Sequence, residues 1–467
     1  MSQPSRIELI QDSASPPSTE RALRPDPAIA RTIAVLDLAF GPPSERNYDI
    51  RLWDGTVQHG GASPAADYSL FFRRRGGLRR MLLPPSELTI VEALISGDVE
   101  IEGNMESAMF LSDAIGKNVQ SGGGFAKLLP RVIALPKDDE APRPEDSRYT
   151  RGLRLLTPRT RKSTESVIRF HYDVGNDFYA LWLDRRMLYT CAYYKKATDD
   201  LETAQVNKLD HICRKLRLQP GERFLDIGCG WGGLVMHAVE HYGVHGTGIT
   251  LSAAQAEWAQ QKIAEKGIGD RCKVEVLDFR DLPANARYDK MSSVGVTEHI
   301  PEDQQPAYFA RAFHALEPGG LFMNHCEVST RTARRTNSAG ERFSRWLWKR
   351  DQFIDKYVFP DAKLVPLASV IRAAEKVGFE TRDVESLREH YAMTLRAWVR
   401  ELEHRKAEAI RLVGERTYGV WRLYMSAAAF GFHTAGLNLV QTLLAKPRPG
   451  GNSNMPLTRE YMYQTSV

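Results

Sequence analysis

Cysteine is scarce in this chain. Five residues in 467, at positions 191, 213, 229, 272 and 326, form no C-x-x-C pair and leave an odd count. That pattern argues against a disulfide framework and a zinc site, and it suits a reducing compartment. Strong charge of either sign is also missing: 63 Lys and Arg stand against 58 Asp and Glu, a net charge of +5. A balance so mild does not point to nucleic acid. The N-terminus lacks a basic start followed by an apolar core, so no signal peptide is read there. One uncharged run, 423–445, is long enough to span a bilayer. It holds Gly431, His433, Gly436, Asn438 and Gln441, and reads instead as a buried helix pair.

What is present divides the chain into parts. Residues 1–28 are rich in Pro, Ser and charge and are expected to be disordered. A small α+β unit follows over 29–135. Its signals are the alternating Tyr48–Trp53, the turn Asp54-Gly55, the strand Ser69–Phe72, a helix from Ser86 to Ile95 and the strand Gly97–Gly103. Residues 136–162 are charged and Pro-rich, a linker. From 163 to 446 strands and helices alternate with short connections, which implies a doubly wound parallel sheet. The strands are read at 224–227, 246–250, 273–277, 289–294 and 321–328, with added helices over 340–358 and 395–445. Residues 447–467 form a tail. Arginines cluster at 73, 74, 75, 79 and 80, and again at 151, 154, 159 and 161 with Lys162. Each cluster reads either as a solvated face or as a contact for anionic lipid head groups.

The most informative stretch is Phe224-Leu225-Asp226-Ile227-Gly228-Cys229-Gly230-Trp231-Gly232-Gly233. An apolar strand turns on glycines into a helix, the usual nucleotide-binding corner of a doubly wound sheet. Asp226 changes that reading. A pyrophosphate wants amide donors, whereas a carboxylate suits a cationic ligand. S-adenosylmethionine carries an ammonium and a sulfonium and no phosphate. Three further segments fall at strand ends, where such sheets bind ligands. Thr250-Leu251-Ser252 with Gln255 suits a ribose or methionine moiety, Asp278-Phe279 suits adenine, and Thr297-Glu298-His299 ends the fourth strand.

Together with Phe170–Tyr179, Leu188–Tyr194, His325, Lys356–Pro360 and Tyr391–Trp398, these segments resemble the cyclopropane-fatty-acid-phospholipid synthase family, which includes the mycolic-acid cyclopropane synthases. The resemblance runs in order from about 165 to 445. The N-terminal unit is similar to the small lipid-binding domain of the bacterial phospholipid enzymes. The resemblance implies a Rossmann-like class I methyltransferase fold with helical additions. It implies methylene transfer from S-adenosylmethionine to the cis double bond of a phospholipid acyl chain, on the inner face of the cytoplasmic membrane. It implies a bicarbonate base held by Cys191 (through its backbone), Glu298, His325 and Tyr391. Tyr189, Thr190, Asp226, Gly228, Gly230, Gly232, Thr250, Leu251, Ser252, Gln255, Asp278 and Phe279 would hold the cofactor, with no metal. A homodimer is left open. Aromatic faces that would favour a chain cation are Tyr172, Tyr193, Tyr194, Phe279 and Tyr357.

Plain alternatives stand beside these roles: a core histidine for His325, a buried apolar thiol for Cys191, a core aromatic for Tyr391. The chain also departs from the family. Cys326-Glu327 follows His325 where Thr and an apolar residue are usual, and Thr297 stands where an aromatic is common. Tyr194 replaces Trp or Phe, and Phe432-His433 replaces Phe-Arg. A second carboxylate beside the anion site would repel bicarbonate when ionised. The alternatives are therefore a related lipid C-methyltransferase with an open-chain product, or a catalytically silent lipid-binding homologue.

Overall fold

A computed structural model describes residues 26–62, 66–84, 86–111, 124–138, 174–330 and 364–463. The expected helix over 340–358, Tyr172, Tyr357 and the second basic cluster lie outside the described residues.

The N-terminal unit begins with α1 (Pro27–Phe40), whose first turn is closed by Asp26 accepting from the Ala28 amide at 2.8 Å. Strands β1 (Asp49–Arg51), β2 (Val57–Gln58), β3 (Tyr68–Phe72) and β4 (Val99–Gly103) form a sheet in the order β2-β1-β3-β4. The Asp54-Gly55 turn joins β1 to β2 as expected, with Gly55 at φ +90°. Helices α2 (Gly77–Leu82), α3 (Glu87–Ile95), α4 (Met105–Ala108) and α5 (Gly124–Ile133) complete the unit. Ser86 caps α3 by accepting from the Thr89 amide.

The first arginine cluster is largely tied up within this unit. Arg73 pairs with Glu100, Arg74 with Asp98, Arg75 with Asp26, and Arg80 with Asp98 and Asp138. Arg79 donates to the Val132 carbonyl at 3.1 Å. Internal pairing lowers the charge these residues offer to a lipid surface.

The second unit holds α6 (Asn176–Ala180), α7 (Leu201–Lys215), β5 (Arg223–Ile227), α8 (Gly233–Tyr242), β6 (His245–Thr250) and α9 (Ala253–Glu265). It continues with β7 (Cys272–Val276), β8 (Tyr288–Val294), α10 (Gln305–Ala315), β9 (Leu316–Ser329), α11 (Leu367–Glu375) and β10 (Glu380–Ser386). Helices α12 (Arg388–His404) and α13 (Lys406–His433) lead into β11 (Leu437–Ala445). The sheet is seven-stranded, in the order β10-β11-β9-β8-β5-β6-β7. From β5 to β9 it is parallel, as expected.

The other edge departs from expectation. Strand β11 inserts antiparallel between β9 and β10, so the sheet is mixed. The helix pair read over 423–445 is therefore a helix end followed by a strand. Ala435 at φ +58° and the Gly436 amide bonded to the Gly431 carbonyl end α13 and reverse the chain. A strand buried on both faces shows no alternation, so its apolar run resembles a helix segment in sequence. No described helix is long and apolar enough to cross a membrane.

The units share one hydrophobic core, in which Leu70 and Phe72 join Trp398, Trp421 and Phe432. Arg396 of α12 grips Glu106 of α4 with two hydrogen bonds of 2.6 Å. The C-terminal tail is docked too: Met462 is fully buried, and its carbonyl accepts from Arg214 of α7 at 3.0 Å.

Candidate active site

The order of the strands reverses at β5, between β8 and β6, and the glycine turn sits at the carboxyl end of β5. Gly228 has φ +73°, and a Cβ there would lie 2.3 Å from Val296 Cγ2. Gly230 has φ +55°, and a Cβ there would meet nothing within 4 Å. The first glycine permits a close approach of segments. The second faces open space of the kind a ligand needs. Gly232, at φ +78°, starts α8.

Asp226 is 3% exposed and accepts from Ser292 Oγ at 2.6 Å. Burial pushes its pKa up to about 7, against the Ser292 hydrogen bond and the charge of Lys208. Lys208, itself 2% exposed, donates to Thr190 Oγ1 at 2.9 Å. Gln205 Nε2 donates to the Thr190 carbonyl at 2.9 Å. The sequence reading missed Lys208 and Gln205. Their signal was present: a lysine at helical spacing from Ala204 and Ile212, on the apolar face of α7.

After β6, Thr250 Oγ1 donates to Gln255 Oε1 at 2.8 Å and accepts from the Ser252 amide at 3.2 Å. Ser252 in turn caps α9 through the Gln255 amide, with Leu251 between. After β7, Asp278 caps the short turn 279–281 and binds the Arg280 guanidinium. Its carboxylate is thus already engaged within the chain. Phe279 packs edge-on against Tyr308, centroids 4.8 Å apart.

The expected catalytic residues come together at the ends of β8 and β9. Glu298 lies in the turn Thr297–His299. The neighbouring Gly295 amide donates to the His325 carbonyl at 2.9 Å. His325 is 1% exposed, and Gln441 stands opposite it on β11 with Nε2 3.2 Å from Nδ1. Burial, helped by the positive charges of Lys208 and Lys215, lowers the His325 pKa to about 3, so the ring is neutral. With the Gln441 amide donating to Nδ1, Nε2 carries the hydrogen. That Nε2 is sealed from solvent and has no hydrogen-bond partner among the described residues; the same holds for Glu298 Oε2.

Glu327 joins them. Burial and the charge of Glu327 raise the pKa of Glu298, and burial raises that of Glu327 against a hydrogen bond from Tyr391. The Tyr391 hydroxyl, in the first turn of α12, is held protonated by burial, and its ring lies 4.7 Å from Phe432. Cys191 is fully buried, with Sγ 3.2 Å from the Ala192 carbonyl. Burial pushes its pKa up, so it is a thiol and not a nucleophile. Thr297, where an aromatic was usual, donates to Asn324 Oδ1 at 2.5 Å.

The aromatic faces need correction. The Tyr193 ring is stacked between His211 (4.2 Å) and His390 (4.7 Å), so both of its faces are taken. Tyr194 packs with Ala192 and Ala204, apart from the main aromatic group. Phe279 sits at the end of β7. A group the sequence reading missed lies nearer the glycine turn: Tyr179, Trp182, Tyr189, Trp398 and Trp421, with neighbouring centroids 5.2–5.6 Å apart. Trp231 of the turn joins it, 5.1 Å from Tyr179. Phe178 and Tyr179 stand four and three residues before Trp182, the helical spacing that was the available signal.

A glycine turn with open space at Gly230, on a sheet of this order, fits a Rossmann-like S-adenosylmethionine-dependent methyltransferase. The family model described as mycolic acid cyclopropane synthetase matches residues 159–442, and the chain belongs to that family. It is 35% identical over 415 residues to a Pseudomonas putida protein described as "Probable fatty acid methyltransferase", covering 89% of this chain and 96% of the other. It is 33% identical over 302 residues to the cyclopropane-fatty-acyl-phospholipid synthase of Escherichia coli, covering 65% and 73% respectively. The solved cyclopropane synthase MmaA2 from Mycobacterium tuberculosis superposes with a TM-score of 0.56 at 32% identity, covering 62% of this chain and 99% of that one. The mycolic acid cyclopropane synthase CmaA1, complexed with SAH and CTAB, gives 0.55 at 32% identity, covering 60% and 97%. The chain is thus an enzyme with the activity of a cyclopropane fatty acid synthase or a related S-adenosylmethionine-dependent lipid methyltransferase.

Proposed function

We propose that this enzyme adds a methylene bridge across the cis double bond of unsaturated acyl chains in phospholipids, working from the inner face of the cytoplasmic membrane. The observation that carries this reading is the pair of sealed, unpartnered polar atoms, Glu298 Oε2 and His325 Nε2, in segments that the Gly295–His325 hydrogen bond ties together at the ends of β8 and β9. Buried polar atoms without partners are costly, and here they suit a reaction that generates and then removes charge.

When bound, S-adenosylmethionine supplies a methyl group on a sulfonium, activated enough for the electrons of a bare alkene. The open space at Gly230 would give it room, with Gly228 and Gly232 shaping the turn, and Asp226 would be the acid for its ammonium. Tyr189 and Thr190 would lie beside it; Thr250, Leu251, Ser252 and Gln255 would hold its ribose and Phe279 its adenine, with Asp278 fixing the turn through Arg280. Tyr189, the partly buried member of the aromatic group, would offer an electron-rich face to a cationic chain, worth about 0.5–2 kcal/mol when desolvated. A bicarbonate would find donors in His325 Nε2–H and the Tyr391 hydroxyl and an acceptor in Glu298, and would supply a proton acceptor.

Glu327 and Thr297 favour a second reading. The position from which the proton leaves decides between a ring and a methyl- or methylene-branched chain, and both residues alter that surrounding. Methyl-labelled S-adenosylmethionine with vesicles of unsaturated or saturated phospholipid tests the substrate. Label is expected in unsaturated acyl chains only. Cofactor binding with no transfer would instead mark a silent lipid-binding homologue.

A further inference from the structure

The segment 186–190 lies between the glycine turn and the end of β8. A Cβ on Gly233 would lie 2.7 Å from Leu188 Cδ2 and 3.0 Å from the Arg186 carbonyl oxygen, so the segment packs against the start of α8. A Cβ on Gly295 would lie 3.6 Å from Thr190 Cγ2 and 3.9 Å from Glu298 Oε1, which sets Thr190 beside the catalytic carboxyl. Polar groups clamp the segment from behind. Asp184 Oδ1 accepts from the Leu188 amide at 2.8 Å, and Gln205 Nε2 donates to the carbonyls of Leu188 and Thr190 at 3.2 and 2.9 Å. Lys208 Nζ donates to Thr190 Oγ1 at 2.9 Å. That last bond fixes how the hydroxyl is used. An ammonium donates and cannot accept. Thr190 Oγ1 therefore takes the Lys208 hydrogen on a lone pair, and its own hydrogen is turned away. Among the described residues nothing accepts that hydrogen, and Thr190 is only half-buried, so a ligand can reach it. Lys208 is 2% exposed and has no carboxylate within 4 Å among the described residues. Burial lowers its pKa to about 8, opposed by the charges of Asp184 and Asp226, so it is cationic at neutral pH. A buried charge without an ion-pair partner is costly, and this one stands directly behind an unused donor.

We infer that Lys208 is a positioning residue for the cofactor: it holds the Thr190 hydroxyl as a donor to the carboxylate of S-adenosylmethionine and places a positive charge behind that bond. The inference rests on the cofactor placement given above. The methionine end of the cofactor carries an ammonium and a carboxylate on one carbon. Asp226 answers the first, and the Thr190–Lys208 pair answers the second from the segment packed against the same turn. A hydrogen bond to an ionised group is roughly twice as strong as a neutral one, and the buried ammonium polarises the hydroxyl that makes it. Lys208 touches no reacting atom, so its removal falls on cofactor binding and not on the chemical step.

The experiment uses the full chain and titration calorimetry with two ligands: S-adenosylmethionine and its decarboxylated analogue, which keeps the adenosine, sulfonium and ammonium and lacks the carboxylate. Wild type is expected to prefer S-adenosylmethionine. Lys208→Met is expected to weaken that ligand by about 10–100-fold, the loss of one hydrogen bond to a charged group, without weakening the analogue. Thr190→Val is expected to show the same selective loss, Thr190→Ser to retain the preference, and the double variant to lose no more than the larger single one. In methyl transfer to unsaturated phospholipid vesicles, Lys208→Met is expected to raise the KM for S-adenosylmethionine and to keep kcat at saturation. Urea unfolding reports whether each variant folds, and Thr190→Val carries the test should Lys208→Met not fold. Equal weakening of both ligands in the folded variants makes the clamp merely structural and overturns the inference, as does unchanged binding of S-adenosylmethionine. Wild type that binds neither ligand overturns the cofactor placement as well.

Discussion

A single Cβ separates two kinds of glycine in the turn after β5. At Gly228 it would collide with Val296, and at Gly230 it would enter open space. Gly230→Val therefore tests ligand placement without a clash inside the protein. A non-glycine residue at φ +55° costs about 1–2 kcal/mol. The expected outcome is a modest loss in thermal stability with S-adenosylmethionine affinity weakened at least ~10-fold, about 1.4 kcal/mol. Unchanged affinity by titration calorimetry contradicts the placement. At this scale the sequence was legible wherever chemistry sits in a local pattern. Asp226 before the glycines, Glu298 at a strand end, and His325 and Tyr391 in their segments all fall at one site. Lys208 and part of the aromatic group left only a helical-spacing signal, and Gln441 left none, because distant segments bring them to the site. Gln441 matters only because β11 sets it opposite His325.

At the scale of elements, the parallel strands β5 to β9 were readable from short apolar runs bounded by turns. Strand β11 was not, since a doubly buried strand lacks the alternation that marks one. Its neighbour β10 is fastened to α7 by charge. Lys215, fully buried, has Nζ 2.5 Å from Glu385 and 3.4 Å from Asp383, while His211 Nε2 lies 2.8 Å from Glu385. Tyr193 donates to the same carboxylate at 3.2 Å. Burial alone would raise the Glu385 pKa, but the His211 hydrogen bond and the Lys215 charge outweigh it and bring it down to about 2. A lowered folded-state pKa contributes stability above the ordinary value of 4.5, and that stability is lost as pH falls toward 2. Glu385→Gln leaves a buried lysine poorly compensated, a change that costs about 3–5 kcal/mol. Urea unfolding at neutral pH is expected to show that loss, and the difference from wild type is expected to shrink on acidification below 4.5. A variant as stable as wild type at neutral pH contradicts this role for the network.

For the whole molecule, the N-terminal unit and the helices α12 and α13 share a core, and α12 also carries Tyr391 into the site. The Pro-rich stretch 136–162 reads as a linker between two units. Their packing could not be read, because it depends on contacts such as Arg396 with Glu106, which are far apart in the chain. The same distance effect hid the pairing of the arginine cluster, which looks like a basic patch in sequence and is mostly matched by internal acids. The molecule as a whole brings together a glycine turn, an aromatic group and a carboxyl pair, the parts that the proposed methylation of an alkene calls for. The decisive measurement is mass spectrometry with NMR of phospholipid acyl chains after reaction with the enzyme. Ring closure predicts a gain of one CH₂ with no residual double bond and a cyclopropane proton signal. A product that has gained the carbon yet retains a double bond contradicts ring closure and makes this an open-chain methyltransferase.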